Sequence, residues 1–454
     1  MSRTTLGLAL LLAAGLLTYG LVNASHEADY SQNSQNQNPK EATDAASANI
    51  TPKPSPQAVT PLKVLWQADT EGSGIYSDDP PVSDGRFYYS HNNTLHAASL
   101  TSGSIAWTFE NAGTPEIISG NTVYTISGSD HLVKLSADTG KQLWSTKVAK
   151  QFMEIGGHAR LIGKTIIFAN ESGGIAAYDP DTGNQLWTNP DIPMYAGTIH
   201  GGHKGVLIVS STIDNIRSQF FGLEPATGKR MWRTEGILSP VTTYEDDLVL
   251  RETAAEQYIP GDSPVAGHLL TLVRLDSATG QLTRQEHYQS LTDVQLTESS
   301  LTLIEQPYVY TLDSKPDQAD RSLIRFTLGQ TDGSGVKSYD EYGVWAAGPT
   351  DGMAFFRKNN MVTGVHLADE RTVPFAAPAD GITLIQKEGN AVFASYDNGS
   401  FIIMDARTGA AVGKLDTGLS YTYFSHIIIS GTTALVRFEN ITFALEMPEA
   451  LLQE

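Results

Sequence analysis

Two histidines stand three residues apart in HGGHKG, His200–Gly205, a stretch expected to form a turn between two strands. Zinc at such a pair needs further ligands, and the sequence offers none at a spacing that would supply them. DPDTGN, Asp179–Asn184, opens like a calcium loop. It lacks the third acidic position and the closing Glu that such a loop uses, so it reads as a tight turn. The remaining histidines are scattered, and none forms a Ser/His/Asp arrangement. The chain has no cysteine, which excludes disulfides, thiolate metal sites, Cys nucleophiles and a lipidated N-terminal cysteine. Asn92–Thr94, Asn398–Ser400 and Asn440–Thr442 match the glycosylation pattern, as several triplets would by chance in a chain rich in Asn, Ser and Thr. Trp345, in GVWAAGP, is expected to seal a core rather than line a channel. No catalytic, cofactor-binding or metal-binding residue is therefore assigned.

Composition narrows the partners. Of the 454 residues, 30 are Lys or Arg and 50 are Asp or Glu, a net charge of −20. Such a surface repels phosphate backbones, so nucleic acid is excluded as a partner, while basic proteins are favoured. Apolar residues make up 40%, enough for a large core, and the 41 glycines imply many turns.

The N-terminal region reads as targeting and spacer. Arg3 precedes the apolar run Leu6–Leu17, which fits the core of a secretory signal, and Val22 and Ala24 are placed as small residues before a cut. If Thr18–Val22 also enters the bilayer, the run reaches the lower edge for a membrane span. Residues 1–24 are thus a signal peptide or an N-terminal anchor, the only membrane contact expected. Residues 25–61 are polar and then Pro-rich, too poor in apolar side chains to order themselves. Residues 62–454 remain for the folded domain. The expected location is extracytoplasmic, secreted or tethered.

What would position any site is written in a repeat. KLSADTGKQLW, AYDPDTGNQLW and GLEPATGKRMW recur roughly 40 to 50 residues apart, the period of repeat architectures. Gly103, Gly140, Gly183 and Gly228 each have a Trp four residues later: Trp107, Trp144, Trp187 and Trp232. Gly280 and Gly409 keep the turn and lose the Trp. Each unit holds four short runs rich in Val, Ile, Tyr and Thr, separated by Gly, Asn and Asp turns. Four strands repeated radially make a β-propeller blade, all-β, with each Trp on the outermost strand covering the next unit. Trp66 lies on an outer-type strand with no blade before it, and the last unit, 424–446, shows only three strands. The N-terminal strand is expected to complete that blade and close the ring. Weak units end near Asp332–Gly333 and Ala368–Glu370. The raw count is nine, but since propellers usually have four to eight blades, one weak unit is discounted and eight blades are expected, give or take one.

These phrases resemble the tryptophan-docking repeat of the quinoprotein-like (PQQ-like) β-propeller superfamily, from about Leu62 to Glu446. The motif is strong in the first four blades and faint after Arg284. The resemblance implies one of two branches. One comprises pyrroloquinoline-quinone dehydrogenases, which need a Ca²⁺ site of carboxylates and amides and a general-base carboxylate. Their ligand set and catalytic Asp cannot be placed here by motif. The other comprises non-enzymatic scaffolds, typified by the lipoprotein subunit of the bacterial outer-membrane β-barrel assembly machinery. That lipoprotein is anchored through a cysteine, which this chain lacks.

Loop lengths give the local clue to binding. The connection between the second and third strands grows in three consecutive blades, at Thr212–Gln219, Glu252–His268 and Asp313–Arg321. Equivalent loops share one face, so these should form a wall, and long loops on a rigid scaffold carry binding. Arg217, Tyr258, Asp262, Asp317 and Asp320 are its candidate contacts. The reading is an exported, monomeric propeller without cofactor or catalysis, a scaffold for envelope or secreted proteins. The alternatives are a quinone-dependent oxidoreductase with a divergent site and a ligand-sensing ectodomain.

Overall fold

A computed structural model describes residues 59–70, 82–149, 157–170, 173–193, 198–213, 217–252, 268–289, 301–314, 320–419, 424–438 and 440–452. The chain divides at Pro61, and Leu62–Glu454 is one compact unit. Residues 1–58, with the proposed signal and most of the spacer, lie outside the described residues. No described helix is long and apolar enough to cross a membrane.

The described strands form nine antiparallel sheets of four. Blade one contains Val82–Ser83, Arg86–His91, Thr94–Ser99 and Ile105–Glu110. Blades two to eight follow at 117–147, 157–189, 198–236, 238–289, 302–338, 344–378 and 382–416. In blade nine the strands Phe424–Ser430, Thr433–Phe438 and Ile441–Glu446 are joined by the N-terminal strand Val64–Asp69. That strand runs antiparallel to Ile441–Glu446, with Trp66 opposite Ala444, and supplies the outer edge as the sequence predicts. Nine apolar clusters each join two consecutive blades, the ninth linking Phe87 and Leu100 of blade one to Leu435 and Ala444 of blade nine. The ring is therefore closed.

The count of eight is corrected to nine. Both weak units, ending near Gly333 and Glu370, are complete four-stranded sheets. They were faint because their joints use other side chains than Trp. At the five tryptophan joints the indole lies on the turn glycine of the next blade. A Cβ on Gly228 would stand 2.2 Å from the Trp187 ring, and Gly228 has φ 70°, so only glycine fits both demands. Each indole N–H donates to a backbone carbonyl of the next blade: Trp66 to Leu100, Trp107 to Ala137, Trp144 to Pro180, Trp187 to Pro225 and Trp232 to Ser277. This satisfies the one polar group that a docked indole buries. In the remaining joints the same position, four residues past the turn, holds Arg284 against Gly329, Lys337 paired with Glu370, Pro374 against Gly409, and Gly413 against Leu62.

Antiparallel strands send alternate connections to opposite faces. Every connection from the first to the second strand is two residues long, such as Asp84–Gly85, where both residues have positive φ (49° and 73°) as a type I′ turn requires. The second-to-third connections leave from the other face, together with the links between blades.

Candidate functional site

The three long connections are where the sequence places them. They span 213–217, 253–267 and 315–320, between the second and third strands of blades four, five and six. Blades one and seven make the same connection with two asparagines each, Asn92–Asn93 and Asn359–Asn360. The base of the blade-four connection is closed by backbone bonding, Ile213 N–H to the Arg217 carbonyl at 2.7 Å, with the Thr212 hydroxyl on the same carbonyl. In blade five the Gln285 amide donates to Glu252 at 2.8 Å where that connection begins. Arg217 and Asp320 are both exposed, on the same face of blades four and six. Tyr258, Asp262 and Asp317 lie outside the described residues, so the structure brings together only the bases of the wall.

The candidate metal motifs dissolve into structure. His200 and His203 lie on the innermost strand Thr198–His203, not in the turn expected for them; the turn is Lys204–Gly205. A register shift between Ile199 and Gly201 places His200 on a bulge, which aims its ring back into the blade. Its Nε2 lies 2.7 Å from the Ser210 hydroxyl, and its ring 5.7 Å from that of Phe220. Burial, reinforced by the Arg160 charge, lowers its pKa to about 4, so it is neutral near pH 7. His203 turns elsewhere, its Nε2 3.1 Å from the Glu245 carbonyl. In DPDTGN the Asp179 carboxylate accepts the N–H groups of Asp181 and Thr182 and the Thr182 hydroxyl, at 2.8 to 3.0 Å. Those bonds hold it below the usual carboxylate pKa. Asp276 and Thr279 repeat the pattern two blades later, so the motif is the turn of the repeat. Trp345 is half-buried on the first strand of blade seven, packed on the blade six–seven cluster, and its N–H donates to the Gly348 carbonyl.

Sequence reasoning missed a buried polar group in the joint of blades five and six. Arg274 Nε lies 2.8 Å from Glu286, and the Arg274 and Glu286 side chains are only 7% and 1% exposed. Tyr288 donates its hydroxyl to Glu286, and Gly329 N–H reaches both Tyr288 and Glu286. Burial and the Glu286 charge push the Tyr288 pKa up. The signal was present in LTRQEHYQ, where Glu286 and Tyr288 alternate as inward positions of a strand.

Among the described residues no three His, Asp or Glu side chains converge as metal ligands. Three described acids are buried: Glu286, held by Arg274 and Tyr288; Asp405, held by Arg407; and Asp313, on the second strand of blade six. The described residues therefore assemble no calcium-ligand set.

The repeat can be set beside known proteins. A family model described as outer membrane protein assembly factor BamB matches residues 57–194 and 171–322, together more than half of the chain. The chain belongs to that family. Solved structures similar to it include BamB from Moraxella catarrhalis, at 14% identity over 86% of this chain and 98% of that one, TM-score 0.42. The quinohemoprotein alcohol dehydrogenase of Comamonas testosteroni is similar at 14% identity over 86% of this chain and 78% of that one, TM-score 0.44. Apo AztD from Citrobacter koseri is similar at 12% identity over 80% and 98%, TM-score 0.41. No curated protein matches the sequence. The BamB family match ends at residue 322, in blade six, one blade beyond Arg284, the first docking residue that is not tryptophan.

Proposed function

We propose that the protein is a non-enzymatic scaffold of the cell envelope, working outside the cytoplasm, whose protein partners dock on the face of long connections. The observation that carries this reading is the contrast between the two faces. One is trimmed to two-residue turns between the first and second strands of every blade. On the other, three consecutive blades extend the same connection, at 213–217, 253–267 and 315–320. Selection for stability alone favours short turns everywhere, so a run of extended loops on neighbouring blades is consistent with a binding face. Arg217, Tyr258, Asp262, Asp317 and Asp320 are its proposed contacts. The BamB family description supports partners engaged in outer-membrane protein assembly. Residues 1–24 serve as export signal or tether in this reading, and the net charge of −20 suits partners with basic surfaces.

The test replaces residues 253–267 with the Asn-Asn turn that blade seven uses at 359–360. Both chains are immobilised and challenged with a detergent-solubilised envelope extract. The expected result is at least a tenfold loss of the captured partner, as hot-spot removal gives, with the melting temperature unchanged. Equal capture by a folded variant would count against the wall.

A further inference from the structure

Every outer strand of the ring pairs on one side alone, with the third strand of its own blade, or in blade nine with Ile441–Glu446. Its other side offers backbone N–H and C=O groups, a template for pairing with another chain, and folds guard such edges with charged residues or proline. Of the nine described outer strands, eight follow that rule. Asp69, Glu110, Lys147, Lys337 and Asp416 charge five of them, Arg230 and Arg284 two more, and Pro374 and Pro378 stand in the strand of blade seven. Gln185–Asn189 of blade three, QLWTN, has neither charge nor proline. Among the described residues no backbone bond reaches its outer side. Leu186 is the extra residue of a bulge between Gln185 and Trp187 and is 53% exposed. The same bulge recurs in blades one, two and four, so it belongs to the repeat, whereas the missing charge is particular to blade three.

A groove of about 410 Å³ lies against this strand. Phe168, Asn170, Tyr178 and Ile192 line it, and the exposed Gln185 and Thr188 belong to its rim. Gln185 stands opposite Tyr178 in the sheet, and Thr188 opposite Ala176, which also lines the groove, so edge and groove share residues. No charged residue lines it among the described ones. Tyr178 is 2% exposed, burial alone pushes its phenol pKa up, and its hydroxyl has no described hydrogen-bond partner. The same place in the sheet holds Ala98, Leu135 and Leu223 in blades one, two and four, so the hydroxyl is not something the repeat requires. A charged segment would lose its hydration here and find no counter-charge. An uncharged strand pairs through its main chain and sends alternate side chains to the groove side.

We propose that the outer edge of blade three, Gln185–Asn189, binds an extended, uncharged segment of a partner protein as a fifth strand. One apolar side chain of that segment enters the groove, and the Tyr178 hydroxyl donates to one of the segment's oxygens. The inference rests on the scaffold reading in taking a protein as the occupant, adds a second surface to it, and makes no use of the loop wall.

The probe is the dye-labelled peptide acetyl-Thr-Val-Thr-Phe-Thr-Val-amide, titrated with the full chain and read by fluorescence anisotropy. Two versions N-methylated at every second residue, one in each phase, keep the side chains and remove the pairing N–H groups of one edge. A fourth peptide carries Asp in place of Phe. The expected result is saturable binding of the parent, with binding weaker by about tenfold or more for the Asp peptide and for at least one N-methylated phase. Thr188→Lys gives the edge the charge that other outer strands carry and should weaken binding by about tenfold with the melting temperature unchanged. Tyr178→Phe should weaken it by about fivefold, the loss of one hydrogen bond. The variant with residues 253–267 replaced should bind the peptide as the wild type does, so failure of the loop wall and failure of this edge are separate results. The edge site is overturned if the parent peptide does not saturate, if both N-methylated phases or the Asp peptide bind as the parent does, or if Thr188→Lys or Tyr178→Phe binds as the wild type does.

Discussion

A single residue decides how a joint is read from sequence. Trp187 was legible because indoles are rare, and one recurring four residues past a turn glycine marks a repeat. Lys337 occupies the same place after Gly333, yet nothing about a lysine signals docking, and its partner Glu370 stands where other blades have glycine. His200 was misplaced for a different reason, since a bulge shifts its register and no residue type announces a bulge. Its burial has a consequence for stability. The unfolded chain takes up a proton at His200 near pH 6.5, whereas the folded chain resists until about pH 4. Between these values the unfolded state binds more protons, so stability falls as pH drops from 6.5 to 4. The loss is at most about 3 kcal/mol, less to the extent that solvent reaches the ring. His200→Gln retains a partner for Ser210 and does not titrate. Urea unfolding at pH 7 and pH 4.5 should show a loss smaller by about 2 kcal/mol in this variant. Equal losses would mean that the ring takes up its proton without leaving the fold.

At the scale of strands and blades, the pattern of alternation was readable and the chemistry between blades was not. Four short runs per unit and the unpaired outer strand at Trp66 were enough to expect a closed ring of four-stranded sheets. Nine clusters confirm the closure, and one of blades six and seven was discounted only because their joints dispense with tryptophan. The joint of blades five and six shows what replaces it. Glu286 there pairs with the Arg274 charge and accepts from Tyr288 and Gly329 in a buried site. Removing the negative charge with Glu286→Gln leaves Arg274 buried and unpaired, at a cost of about 3–5 kcal/mol. Replacing both partners, as in Arg274→Met with Glu286→Leu, removes the buried charges together and should cost far less than Glu286→Gln alone. Denaturant midpoints of the three proteins measure the difference. A double variant as unstable as Glu286→Gln would show that the tyrosine and glycine bonds, and not the ion pair, hold the joint.

The whole molecule sets the limits on function. Its family match and closed ring are compatible with scaffolds and with quinone enzymes alike, because the fold is shared and function lives in sites placed on it. The described residues bring no three metal-binding side chains together, and two of their three buried acids, Glu286 and Asp405, are paired with arginines of the fold itself. A scaffold should therefore ignore the quinone. Titrating the full chain with pyrroloquinoline quinone and Ca²⁺ decides between the two. A site filled at one hundred times its Kd adds about 2.7 kcal/mol to the folded state, a rise of several degrees in Tm at most. The expected result is no shift at saturating cofactor and no dye-linked oxidation of alcohols or sugars. A shift with turnover would overturn the scaffold and require a carboxylate base and metal ligands among residues such as 253–267 and 290–300, which lie outside the described ones. A shift without turnover would point instead to a ligand-sensing ring, and the loop wall of blades four to six would then be the surface on which to look for its response.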